Sequence, residues 1–271
     1  RESTRDWSSN VCSSDLGLAV VTLPLADVGA SGWRFVYAFA LVWLVVALDL
    51  TRRLPETGRF ERHVVERRHV DLPMQRRRLA IQMAVAFFGN MLLAPASFFQ
   101  NGYLKDERGF SATSVAIFTL ITSAPGAIGL VAGGRVADRR GRRLVATVCT
   151  PIGAALIVTS FWFGGPLMWS AAVGGSVVAA TAYPSLAVYR TELFPTGRRG
   201  RAAYLILASA LLGGGISLLV TGALLDRDVF YGPILTALAF GPVVVAAIVW
   251  STYPETAHRE LEELNPEDLS R

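Results

Sequence analysis

Residues that carry chemistry are scarce in this chain. Cysteine occurs twice in 271 residues, as Cys12 and Cys149, and histidine three times, as His63, His69 and His258. A lone pair of distant cysteines offers neither a disulfide framework nor the spacing of a metal site. The histidines fall in basic, polar stretches, where a solvated face is the expected role. No metal, no cofactor and no catalytic residue is therefore expected, and the chain does not read as an enzyme. Charge is also sparse, at 17% of residues against about 25% in an ordinary soluble domain. That shortage excludes a soluble globule.

What fills the space is apolar. Hydrophobic residues make up 52% of the chain, and no Asp, Glu, Lys or Arg occurs in 79–99, 113–134, 144–189, 202–225 or 229–254. About 20 apolar residues in a helix cross the roughly 30 Å of a bilayer core, so each run is long enough to span and 144–189 is long enough twice. Gly164, Gly165 and Pro166 divide that longer run. A further candidate, 33–50, is framed by Arg34 and Asp49. Inside a bilayer every backbone N–H and C=O needs an internal partner, and these runs lack the period-2 alternation of barrel strands. The expectation is helices near 33–50, 79–100, 113–134, 144–163, 167–189, 202–225 and 229–250, with a stub at 17–28 too short to span. Within them, Pro125-Gly126 reads as a kink and Gly213–Gly215 as a place of close helix packing.

Most of the 26 Lys and Arg residues lie in 52–78, 135–143, 190–201 and 251–271, which alternate onto one face. The positive-inside rule makes that face cytoplasmic and puts the C-terminus there, in a multi-pass protein of the cell (plasma or inner) membrane. Topology thus accounts for the net charge of +5, and no nucleic-acid partner is needed to explain it.

The connectors carry the specific signals. "GRVADRRGRR", Gly134 to Arg143, resembles the loop signature G-x-L-A-D-R-x-G-R-R of the major facilitator superfamily. Here Gly134 is expected to permit close helix approach, Gly141 to allow a tight turn, and Asp138 to supply an anion for an Arg or a helix N-terminus. "YRTELFPTGRRGRA", residues 189–202, resembles the E-x-x-P-x-x-x-R-G loop of the sugar-porter-like branch, with Glu192, Pro195, Arg199 and Gly200 in the matching places. "LPETGRF" and "YPETAHREL" resemble the elements that close each six-helix half of that family. Pro55 and Pro254 stand about 200 residues apart, as parallel repeats of six spans require.

The resemblance implies an all-α membrane protein: the C-terminal six-helix bundle of a twelve-helix transporter, plus the last one to two helices of the N-terminal bundle. The expected domains are a remnant of that first bundle at 17–51, a cytoplasmic inter-bundle linker at 52–78, the six-helix bundle at 79–250 and a cytoplasmic tail at 251–271. Residues 6–16, "DWSSNVCSSDL", resemble the translation of a sequencing adapter with Asn10 in place of Asp, so 1–16 is read as a non-native tail.

By the same resemblance the protein is a secondary transporter of a sugar or other small solute, with the proton as candidate coupling ion and the bilayer and solute as partners. Transport is not expected of the fragment alone. Its cytoplasmic gate is implied at Gly134, Asp138, Arg139, Gly141, Arg142, Arg143, Glu192, Pro195, Arg199 and Gly200, with Asp138 paired to Arg142 and set against a helix N-terminus across the bundle interface. Gln82 and Asn90, eight residues apart on one helix, are candidates for the solute cavity, with Tyr183 and Phe87 as an aromatic wall. The alternative for these polar groups is helix-to-helix bonding. The alternative for the whole chain is a helical membrane scaffold or receptor-like bundle without transport.

Overall fold

The computed structural model describes residues 76–192, 194 and 196–255, leaving aside the side chains of 112, 191, 192 and 196–199, together with the single positions Arg34, Leu41, Leu44 and Asp49. The chain divides into two units, Arg1–Pro73 and Met74–Arg271. In the first unit the four described residues are helical and exposed, and all fall within the expected span 33–50. The expectations for 1–16, 17–28, 52–75 and 256–271 lie outside the described residues.

Every regular element described in the second unit is a helix: α1 Arg76–Phe98, α2 Gln100–Asp106, α3 Ala112–Ser123, α4 Gly126–Arg140, α5 Arg142–Trp162, α6 Gly165–Glu192, α7 Thr196–Leu225, α8 Tyr231–Leu238 and α9 Phe240–Thr252. Six stretches are long and apolar enough to cross a membrane: Arg76–Phe98, Thr113–Arg140, Arg142–Trp162, Gly165–Arg190, Gly200–Leu225 and Tyr231–Thr252. They coincide with the last six charge-poor runs of the sequence. Local chemistry sets their ends. Ser111 caps α3 by accepting from the Ser114 amide at 3.2 Å. Gly165, with φ of 62°, opens α6 in a conformation that favours glycine. Pro125 lacks an N–H to donate back into α3, and α4 continues from Gly126 with Ala124 and Pro125 still in helical conformation, which is the expected kink.

Three boundaries depart from the sequence reading. The stretch after residue 100 was expected to be a connector, because Lys105 to Arg108 are charged. It begins instead with α2, which buries Tyr103 and Leu104 among Phe161, Tyr231 and Leu235. The Arg-rich signature was expected to be a loop, yet α4 runs through it to Arg140 and α5 starts at Arg142. Nothing in "RVADRR" breaks a helix, and Ala137 is buried on the inner side. In the last span, the helix is interrupted at Ala239.

Backbone contact between helices depends on glycine. A Cβ on Gly129 or Gly133 of α4 would strike the backbone of Val177 or Thr181 on α6, and one on Gly213 of α7 would strike that of Phe87 on α1. Small residues here let helices approach closely where no hydrophobic gain draws them together. Gly134, expected to serve this purpose, has nothing within 4 Å of its Cβ position; Gly133 does the work. Packing runs α4, α6, α5, α9, α1, α7 around the bundle, and the two ends of that series, α4 and α7, make at most a marginal contact.

Candidate functional site

The Arg-rich end of the bundle is built around Gly141. Its φ of 99° lets α4 turn directly into α5, and a Cβ there would also meet the Glu255 carboxylate at 2.7 Å. Glu255 follows α9 in the second P-E-T element. One carboxylate oxygen accepts from the Arg142 amide at 2.9 Å and the other from the Arg143 amide at 3.3 Å. These are two of the four amides that a helix start leaves without partners, and α5 has no acidic residue in its first turn. An anion here meets both the open donors and the positive end of the helix dipole.

Neighbouring contacts hold Glu255 in place. The Arg143 guanidinium lies 4.6 Å above the Trp250 ring. Tyr189, at the end of α6, donates its hydroxyl to the Pro254 carbonyl at 3.0 Å and packs edge-on to Tyr253, with ring centres 4.6 Å apart. Burial pushes the Tyr253 hydroxyl above its ordinary pKa, with the Arg190 charge pulling the other way. Asp138 pairs with Arg142 at 3.5 Å, but Asp138 is two-thirds exposed, so the pair is a modest surface interaction. Arg139 and Gly200 are exposed, and the side chains of Glu192, Pro195 and Arg199 lie outside the described residues.

Glu255 was missed by the sequence reading, which set Asp138 against a different helix N-terminus, across the bundle interface. The available signal was the start of α5 itself: two arginines and no acid in a first turn call for a carboxylate from elsewhere.

The cavity candidates are not brought together. Gln82 is sealed in the core at 1% exposure. Asn90 is half-buried and donates from Nδ2 to the Ala210 carbonyl of α7 at 2.8 Å, which makes it a bond between helices. Eight residues at about 100° each leave these two side chains about 80° apart around α1. Phe87 is half-buried, edge-on to Phe88 at 5.4 Å. Tyr183 on α6 is 54% exposed.

At the opposite end, Arg108 performs the converse task. Its Nη2 donates to the Phe163 carbonyl at 3.0 Å, and its Nε donates to the Tyr103 hydroxyl at 2.8 Å. Tyr103 in turn donates to the Ser160 carbonyl at 3.1 Å. The last carbonyls of α5 thus face a cation, as the negative end of a helix favours.

Comparison with known proteins agrees with this architecture. The family model of the Major Facilitator Superfamily matches residues 79–270. Similar solved structures include a double-tryptophan variant of XylE, with a TM-score of 0.77 at 17% identity. The proton:xylose symporter XylE bound to 6-bromo-6-deoxy-D-glucose gives 0.74 at 18%. The inward-open form of the xylose transporter XylE from E. coli gives 0.62 at 19%. The first two matches cover 96% of this chain and 65% of the other, so the chain spans less than two thirds of those proteins. The third covers 96% and 63%. No curated protein sequence matches. With its six apolar spans and a family match over most of its length, the chain belongs to the Major Facilitator Superfamily.

Proposed function

We propose that this chain supplies one bundle of a secondary transporter that moves a small solute, a sugar or another polar metabolite, by alternating access. The observation that carries the reading is the separation of α4 and α7, between which this reading places a trough. A six-helix bundle whose end helices α4 and α7 stay apart leaves an open flank, and such transporters bind solute near the membrane midplane between two bundles. Tyr183 on α6, half exposed, is the candidate solute contact; Asn90, bonded to Ala210, and half-buried Phe87 are packing residues on α1. The similarity to a proton:xylose symporter makes a sugar the first solute to try. Among the described residues, the six spans hold a single carboxylate, Asp138, at the Arg-rich end. A proton carried by an acid near the midplane would therefore need a group outside this bundle.

The gate belongs to the same proposal. Asp138 with Arg142, and Glu192 with Arg199 beside them, would form the cytoplasmic latch that closes the two bundles, with the C-terminus on that side and the protein in the plasma or inner membrane. The experiment is uptake of labelled monosaccharides into proteoliposomes holding the protein with both bundles, with and without a pH gradient. Saturable uptake is expected, and the 271-residue chain alone should give none. Saturable uptake by the 271-residue chain, or none by the two-bundle protein with any small solute tested, would overturn the reading.

A further inference from the structure

Three hydrogen-bonding atoms in the bundle, Gln82 Nε2, Ser185 Oγ and Tyr253 Oη, are buried and make no hydrogen bond to any described residue. All three are rooted in one region. Val85 and Ala86 of α1, Tyr189 of α6 and Tyr253 after α9 belong to a single buried cluster. Gln82 lies one helical turn before Val85 and Ala86, and Ser185 one turn before Tyr189, whose ring packs on Tyr253. Their depths agree as well. Gln82 is six residues inside the start of α1 and Ser185 seven residues inside the end of α6, each about 9–11 Å from the Arg-rich end at 1.5 Å per residue. Tyr253 is itself 3% exposed, with its ring against Tyr189.

A buried donor without a partner is expensive, and three of them in one apolar cluster are far more expensive than one. Nearby polar side chains show that the bundle otherwise satisfies such groups directly. Tyr189 donates to Pro254, and Ser209 donates to the Met83 carbonyl at 2.9 Å. We propose that Gln82, Ser185 and Tyr253 bind ordered water inside the bundle, a small hydration site that cross-links α1, α6 and the segment after α9 near the Arg-rich end. The chemistry suits water rather than a fixed ion. The amide nitrogen only donates, whereas the two hydroxyls both donate and accept, and a water molecule can serve each in turn. Two to four polar partners are what a buried water requires.

Millisecond hydroxyl-radical footprinting of the 271-residue chain in nanodiscs, in H₂¹⁸O, tests this without any substitution. Tyr204, 76% exposed, is the positive control, and Tyr103, buried at the opposite end of the bundle and bonded to the Ser160 carbonyl, is the negative one. Radicals formed on bound water label a buried side chain beside it, so Tyr253 should label at a rate closer to Tyr204 than to Tyr103. Gln82→Met should reduce that labelling. Tyr253 as silent as Tyr103 would overturn the proposal. A second arm measures coupling. If water joins the three groups, Gln82→Met, Ser185→Ala and Tyr253→Phe each lower the melting temperature, by about 2–4 °C, and pairs of them cost less than their sum. Substitutions that raise it additively would show groups that are merely unpaired, and would refute the site.

Discussion

At the scale of single residues, neighbours with the same name have opposite duties. Gly133 abuts the Thr181 backbone, whereas Gly134 has open space, and only helix propensity acts on it. Gly133→Ala should therefore destabilise the 271-residue chain, and Gly134→Ala should stabilise it by about 0.5–1 kcal/mol, as read from melting in detergent. Equal effects would contradict the close approach. Gly141 faces a stricter demand, since its φ of 99° and the Glu255 carboxylate both exclude a side chain. Gly141→Ala should cost about 1–3 kcal/mol. Glu255→Gln keeps one acceptor but loses the charge, at a cost of about 1–2 kcal/mol, and should speed amide exchange at Arg142 and Arg143 selectively. Tyr253 adds a pH dependence. Its folded pKa is raised above the ordinary 10.0 by burial, so the neutral phenol is the form the fold favours. The stability it contributes is complete below pH 10 and is lost as pH rises through the raised value. Tyr253→Phe should flatten that alkaline loss; an unchanged profile would show that the fold does not favour the neutral phenol. None of these distinctions was legible in sequence, because Gly133 and Gly134 differ only in which neighbour they face.

At the scale of elements, the arginines that open α1 and α5 oppose the helix dipole. Arg76, Arg77 and Arg78 stand at the positive end of α1, and Arg142 and Arg143 at that of α5, with no acid in either first turn. Each such charge costs about 0.3–1 kcal/mol at a helix end, whereas a basic residue beside an anionic leaflet gains about 1 kcal/mol. Membrane topology wins, which is why charge-free runs and their basic borders sufficed to place the six spans. What the same reading could not place was α2 or the capping of α5 by Glu255. Both depend on long-range contacts: Tyr103 and Leu104 packing on Phe161 and Leu235, and Glu255 reaching α5 from the other end of the sequence. α5 is thereby held at both ends by charges of the favourable sign. Arg108→Ala should lower the melting temperature and loosen the last turn of α5. Arg108→Lys should restore little, since one ammonium lacks the planar fork that reaches both the Phe163 carbonyl and the Tyr103 hydroxyl. Full rescue by Lys would reduce the contact to simple charge.

At the scale of the whole molecule, the bundle is complete as a packing unit and open as a surface. Leu207, Leu211 and Leu219 on α7, Ile117 and Leu120 on α3 and Ile128 on α4 are all about half exposed or more. Lipid can cover part of such a surface, but Tyr183, with a hydroxyl to satisfy, is better suited to a watery cavity than to hydrocarbon. The family was legible in the sequence because its signatures sit in short connectors, where Gly141 and Asp138 are fixed by local geometry. The solute site was not, because whether an amide such as Asn90 lines a cavity or bonds Ala210 depends on a helix 120 residues away. Single cysteines separate the two roles. In a cysteine-free version of the two-bundle protein, with Cys149 replaced by Ser, Tyr183→Cys should react with a membrane-impermeant thiol reagent and be protected by the transported solute. Asn90→Cys should react slowly and without protection, because its side chain is directed into the α1 and α7 contact. Solute protection at residue 90 and none at 183 would reverse the assignment of cavity and packing faces. Reaction at neither would place the solute path outside the trough between α4 and α7.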